Sequence, residues 1–247
     1  MDIRQSVELF HLLFLRNFSE RVERNLYSLK GGCNLRFFFK SIRYSEDVDL
    51  DIHTVSPDTL RNHIRKIVRS KSFLDVISAY GISLEKVSEP KQTETVQRWK
   101  FLIKHSTSAQ EIPTKLEFSR RADKFNSEFG IIDDEIQKTY RLLPLGVSHY
   151  GLRDAITQKI LALAKRTETQ ARDVFDLAHL IGFGEPKLTL DTISAGDKLL
   201  AVNNLVSLSY QDYQSQVLEY IPVNYAEFYT GEEQWLKLVS KLESYIQ

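Results

Sequence analysis

The chain has 247 residues, 42% of them hydrophobic, with 33 basic and 33 acidic side chains that cancel to zero formal charge. That length buries a substantial core in one large or two small domains, and a neutral balance supplies no global pull toward a polyanion. The single cysteine, Cys33, excludes an intramolecular disulfide and fits a reducing, cytoplasmic setting.

Residues 2–28 read as a helix. Their apolar run is broken by Glu8, His11, Arg16 and Asn17, so it is amphipathic and unlike a signal peptide, and no segment reaches the roughly 18–20 apolar residues of a membrane span. The glycine pair Gly31-Gly32 follows Lys30, then a short helix over 34–40. A strand over 44–53 carries Ser45, Asp47, Asp49 and Asp51 on one face and Val48, Leu50 and Ile52 on the other, because strand side chains alternate. Ser56-Pro57-Asp58 starts a helix running to about 71. On it Arg61, Arg65 and Arg69 recur every four residues, either as a track for acceptor phosphates or as a solvated face. Residues 82–88, 96–105 and 114–120 are strand-like, with Trp99, Phe101 and Ile103 alternating against Lys100, Leu102 and Lys104. From Gly151 the pattern is helical: to Arg166, over 170–181, 186–202, 210–220 and 231–246. The fold class expected is α+β, a mixed sheet with helices over 1–150 and a helical bundle over 151–247, with an active cleft between them.

Carboxylates alternating along a strand call for a cation, and Mg²⁺ is held by one or two carboxylates plus substrate phosphates. Glycines beside them let backbone N–H groups approach a phosphate. Lys159 falls within the apolar sector of its helix, so it either binds phosphate or snorkels from the core edge. Asp173 borders the packing face of the next helix and Asp176 is placed further toward solvent; Arg172 and Asp173 are also read as a plain ion pair. Glu117 either completes the metal site or is an exposed strand acid. Cys33 has no histidine near it in sequence and reads as a small loop residue.

Leu29-Lys30-Gly31-Gly32-Cys33-Asn34-Leu35 followed by Arg43-Tyr44-Ser45-Glu46-Asp47-Val48-Asp49-Leu50 resembles the opening motif of the AbiEii/AbiGii-type nucleotidyltransferases, toxins of type IV toxin–antitoxin and abortive-infection systems. Downstream, Thr114-Lys115-Leu116-Glu117-Phe118-Ser119, Gln158-Lys159-Ile160-Leu161-Ala162-Leu163 and Arg172-Asp173-Val174-Phe175-Asp176-Leu177 are similar to the later strand, lysine and Arg-Asp motifs of that family. Cys33-Asn34 departs from the small Thr-Ala of many relatives. The resemblance implies a nucleotidyltransferase fold in the N-terminal half and metal-dependent transfer from an NTP, with Mg²⁺ or Mn²⁺ on Asp47, Asp49 and Glu117. It implies phosphates cradled by Lys30, Gly31, Gly32 and Ser45, and catalytic roles for Asp47, Asp49, Lys159 and Asp173. It further implies an RNA (tRNA) or protein acceptor and a separately encoded antitoxin. Two alternatives stand beside it: a metal-dependent nuclease, since the same carboxylates support hydrolysis, and a noncatalytic nucleotide- or RNA-binding module.

Overall fold

A computed structural model describes residues 1–120, 126–184 and 190–247. The chain divides into two units: Met1–Phe38 with Tyr44–Tyr150, and Phe39–Arg43 with Gly151–Gln247.

The first unit is built on a mixed seven-stranded sheet. In chain order it contains α1 (Ile3–Ser19), β1 (Tyr27–Lys30), α2 (Gly31–Phe38), β2 (Asp47–Ile52), α3 (Pro57–Val68) and α4 (Lys71–Ala79). These lead into β3 (Ile82–Gln92), β4 (Val96–His105), β5 (Glu111–Ser119), β6 (Ser127–Ile131), α5 (Asp134–Thr139) and β7 (Gly146–Tyr150). The strand order is β3-β4-β5-β2-β1-β7-β6. β2 runs parallel to β5 and antiparallel to β1, which is parallel to β7.

Alternation along β2 and β5 decides which face is core. Val48, Leu50, Leu116 and Phe118 are fully buried, and α1 lies over them: the Phe18 ring is 5.4 Å from Phe118 and 5.1 Å from Tyr27, and Phe10 is 5.4 Å from Phe101 on β4. Burying each such aromatic contributes about 1.5–3 kcal/mol. The opposite face is therefore left for charge. Across it, register sets Lys30 (β1), Asp49 (β2), Glu117 (β5) and Arg98 (β4) on one rung, and Asp47, Lys115, Lys100 and Ser88 (β3) on the next.

The second unit is helical: α6 (Leu152–Lys165), α7 (Ala171–Leu180), α8 (Ala195–Val206), α9 (Tyr210–Gln216), α10 (Val223–Tyr229) and α11 (Glu232–Ile246). Its core centres on Trp235 stacked on Tyr213 at 5.0 Å, with the Phe175 ring 6.5 Å from Tyr213. Asn204 on α8 donates to the Leu163 carbonyl at 2.8 Å, satisfying an acceptor at the end of α6 that the helix cannot satisfy itself.

Several boundaries differ from expectation. The first helix ends at Ser19 and not at 28, because the apolar residues after it belong to β1, where Tyr27 and Leu29 are buried in the sheet. The basic helix stops at Val68; Ser70 then caps α4 by accepting from the Phe73 N–H at 3.2 Å, so the single expected helix is two. Strands β1, β6 and β7 and helices α5 and α10 were not expected. Of the helix expected over 186–202, residues 186–189 lie outside the described residues, and α8 begins at Ala195.

Candidate active site

The glycine turn and the acidic strand meet at one atom. Gly31 has φ +67°, a left-handed conformation that disfavours side chains, and a Cβ placed there would lie 2.8 Å from Asp49 Oδ2. A side chain there would be strained by its φ and would require the Asp49 carboxylate to move. Gly31 also opens α2, whose first turn has N–H groups without intrahelical partners.

The carboxylates on this face are each neutralised by a neighbour, with one exception. Lys115 Nζ lies 2.6 Å from Asp47 Oδ2, and Arg98 donates to Glu117 through Nε at 2.7 Å. Asp51 is taken out of the acidic face by Lys30 and by the Tyr150 hydroxyl, which donates to it at 2.7 Å. Asp49 alone of the four has no ion-pair or hydrogen-bond partner among the described residues. Its pKa is raised, first by desolvation and then by the charge of Asp47, with Lys30 opposing. Ser45, just before this strand, donates through its hydroxyl to the Asp47 carbonyl at 2.9 Å.

Among the described residues no three His, Cys, Asp or Glu side chains are gathered to hold a metal by themselves. Of the expected set Asp47, Asp49 and Glu117, Asp47 is paired with Lys115 and Glu117 with Arg98. What remains is a pair of strand carboxylates of opposite condition, one paired and one desolvated and unpaired. That donor set fits a hard divalent cation that draws its remaining ligands from water and substrate oxygens.

Behind the pair, Cys33 is not a loop residue. It sits in α2, buried, with Sγ 3.6 Å from His11 Nδ1 and donating to the Asp47 carbonyl at 3.2 Å. His11 is in turn 2.7 Å from the Thr114 hydroxyl. A Cys–His contact suggests a nucleophile, but burial pushes the Cys33 thiol well up and the His11 imidazole down to about 3. Both are neutral at pH 7, and the chain of contacts ties α1, α2 and β5 to the base of the acidic strand.

The helical unit gathers its own charges. Lys159 Nζ donates to Asp173 Oδ1 at 2.8 Å and to Asp176 Oδ2 at 2.6 Å. Arg43 grips Asp176 with two parallel bonds, Nε at 3.0 Å and Nη2 at 2.8 Å. Arg166 Nε lies 3.0 Å from Asp173 Oδ2 as an ion pair, although that oxygen has no aligned hydrogen bond. Burial alone would raise Asp176, but Arg43 and Lys159 hold it well below the usual carboxylate range. Asp176 is fully buried, which corrects its expected placement toward solvent. Arg172 donates to Gln170 at 2.6 Å.

A family model, the nucleotidyl transferase AbiEii toxin of type IV toxin–antitoxin systems, matches residues 13–216. The chain belongs to the AbiEii family. It is accordingly a nucleotidyltransferase of the toxin type, which decides against the nuclease and the noncatalytic module. The AbiEii setting implies a nucleotide substrate and an antitoxin partner. No curated protein matches in sequence. Three solved structures share the fold. JHP933 from Helicobacter pylori has a TM-score of 0.63 and 20% identity, over 100% of this chain and 94% of that one. A putative nucleotidyltransferase from H. pylori has 0.60 and 20%, over 97% and 94%. MenT4, a nucleotidyltransferase toxin from Mycobacterium tuberculosis, has 0.66 and 16%, over 97% and 82%. No helix among the described residues of this AbiEii protein is long and apolar enough to cross a membrane.

Sequence reasoning missed Lys115, Arg98, Arg43 and Asp176 as partners of the charged residues it named. The two-residue alternation on β5 was a usable signal for Lys115, whereas Arg43 is separated from Asp176 by 133 positions. Of the arginine stripe on α3, Arg61 pairs with Asp58 at 2.6 Å and Arg65 grips Glu89 with two bonds of 2.8 Å, while Arg69 caps the helix.

Proposed function

We propose that the protein is a divalent-metal-dependent nucleotidyltransferase toxin that moves a nucleotidyl group from an NTP to an RNA acceptor, with tRNA the leading class and a protein acceptor the other. The observation that carries this reading is the unpaired, desolvated Asp49 carboxylate lying against Gly31. Such a group is costly to keep ionised unless a cation and phosphates complete it.

In this reading Asp47 and Asp49 hold Mg²⁺ or Mn²⁺, with Glu117 beside them on the same rung as Asp49. The ion supplies charge neutralisation on the reacting α-phosphoryl group and the departing pyrophosphate. The protein's own residues do the positioning, which dominates phosphoryl chemistry. Gly31 and Gly32 present unpaired N–H groups of the first turn of α2 to the phosphates, with Lys30 and Ser45 at the two strand ends that flank them. Lys159 is assigned to phosphate charge and Asp173 to orienting or deprotonating the acceptor; Asp176 and Arg43 fix that lysine and its neighbour. The reaction places the toxin in the cytoplasm with its nucleotide pool, under restraint by a cognate antitoxin.

The test is transfer of labelled nucleotide to total RNA by purified Asp47→Asn and Asp49→Asn proteins. Each is expected to lose transfer by at least about 10²–10³-fold, the usual cost of removing a major electrostatic contribution. Full activity in either variant would sink the carboxylate assignment. The two differ in stability. Removing Asp49's desolvated charge should raise the melting temperature by about 2–4 °C, the response of a chain this long to roughly 1 kcal/mol, whereas Asp47→Asn breaks a pair with Lys115 and should not.

A further inference from the structure

Beside Asp47 the sheet carries a cavity of about 400 Å³. Lys86, Ser88, Lys100 and Lys115 line it, with Glu46 and Asp47 at one end. Register explains the grouping: Ser88, Lys100, Lys115 and Asp47 form one continuous rung across β3, β4, β5 and β2, and Lys86, two residues from Ser88, points to the same side. Three strand spacings of about 4.8 Å make this rung about 14 Å long. Lys86 and Lys100 are exposed and have no ion-pair partner among the described residues. Lys115 is different, since its amine is spent on Asp47 at 2.6 Å.

We infer that this cavity binds an extended phosphate chain on Lys86, Lys100 and Lys115, and that Lys115 is its switch: bound to Asp47 in the cation-free protein, released to the anion when a divalent cation takes that carboxylate. The second half rests on the proposed role of Asp47. The physical reason is competition. One carboxylate cannot be neutralised twice at full strength, so a cation at Asp47 weakens its hold on Lys115 and leaves an ammonium facing two unpaired lysines, a concentration of positive charge that an anion relieves. Cation and anion binding are then positively coupled, each raising the affinity of the other by the same factor. The three lysines span two strand spacings, about 10 Å, on the side of β2 away from β1 and the Gly31-Gly32 turn to which the nucleotide phosphates are assigned, so the phosphodiester backbone of a single strand is the better occupant than the tail of the nucleotide.

The experiment measures binding, not turnover, on the full chain. Fluorescein-labelled oligouridylate is titrated by anisotropy at several salt concentrations, with and without Mg²⁺, and Mn²⁺ binding is read separately by electron paramagnetic resonance. Tripolyphosphate is the competitor that represents a nucleotide tail. In Lys86→Gln/Lys100→Gln the salt slope should fall by about 1.4, or 0.7 for each of two phosphates no longer neutralised. The affinity should fall about 25-fold at 0.1 M salt, taking 1 M as the point where the counterion effect vanishes. Nucleotide binding should not change. In Lys115→Gln, Mg²⁺ should no longer tighten oligouridylate binding, while Mn²⁺ affinity rises by up to about fivefold, the worth of one partly exposed ion pair; a merely structural lysine would not strengthen cation binding. Lys138→Gln, remote from the rung in sequence and exposed, is the charge control.

Unchanged oligouridylate affinity and slope in the double variant overturns the site. Loss of nucleotide binding in the same variant, with oligouridylate unaffected, gives the cavity to the triphosphate and overturns the strand assignment. Mg²⁺ coupling that survives Lys115→Gln overturns the switch. Failure of wild-type protein to bind Mn²⁺ overturns both the switch and the carboxylate reading behind it, and is seen apart from the anion arm.

Discussion

Asp176→Asn is the sharpest test of the charge cluster in the helical unit. The side chain is fully buried and accepts two bonds from Arg43 and one from Lys159. Asparagine keeps its shape and removes its charge, which leaves Arg43, 5% exposed, and Lys159, 10% exposed, facing each other across a neutral amide. Breaking a buried pair from one side costs about 3–5 kcal/mol, a large part of the roughly 5–15 kcal/mol that holds an ordinary domain together. With a urea dependence of roughly 1 kcal/mol per molar for a unit of this size, the unfolding midpoint should fall by about 3–5 M. The assay is fluorescence in a Trp99→Phe background, because Trp99 lies in the sheet unit and Trp235 in the helical one, so the remaining signal reports the latter. Acid adds a second signature. The folded pKa of Asp176 lies below its unfolded value of about 3.9. Its contribution is therefore complete above that value and is lost as pH falls toward the depressed folded value. The asparagine variant should lack this part of the acid slope. A midpoint within about 0.5 M of the parent, with an unchanged acid slope, would refute the reasoning.

Three further substitutions separate roles. Gly31→Ala puts a Cβ 2.8 Å from Asp49 Oδ2 at a φ of +67°; it should destabilise the sheet unit by more than about 1 kcal/mol and weaken nucleotide binding, read by calorimetry and melting. Lys159→Gln should lower nucleotide affinity if the amine serves phosphate. If it only bridges Asp173 and Asp176, a urea titration shifts and nucleotide titration does not. Replacing Arg61, Arg65 and Arg69 together by Gln should reduce the salt slope of RNA binding by about 0.7 for each phosphate left without its arginine; equal slopes would leave the stripe as the solvated face that the Arg65–Glu89 pair suggests.

What was legible in the sequence follows from the range of each interaction. The acidic strand could be read because alternation is local: Val48 and Leu50 must face the core, so Asp47 and Asp49 must face away. The helical unit could be read because Leu152, Ile156, Ile160 and Leu163 repeat at helical spacing. β1 could not, since four residues are too few to show a period. Asp176 shows the other limit. A helical projection gives the angle between Asp176 and Leu177, but whether a carboxylate on that side meets water or a guanidinium depends on Arg43, far back in the chain. Burial of a charge is decided by its partner, and the partner is a tertiary fact.

The same reasoning explains why Asp49 is the exception among its neighbours. Asp47 and Glu117 lie beside cations on adjacent strands, Lys115 and Arg98, and Asp51 is reached by Lys30 and Tyr150. Asp49 stands opposite Lys30 in register, yet the Lys30 amine goes to Asp51. The backbone of Gly31 packs against the Asp49 carboxylate, where an added Cβ would lie 2.8 Å from Oδ2. Glycine at 31 and the unpaired acid at 49 are therefore one device. Backbone without a side chain packs against the carboxylate while leaving its lone pairs uncommitted, so the fold keeps a desolvated carboxyl group in reserve beside the opening turn of α2. Filling that gap with a Cβ or removing the charge breaks the device from opposite sides, and the two changes should differ in stability: Gly31→Ala lowers it, Asp49→Asn raises it, and both lose transfer.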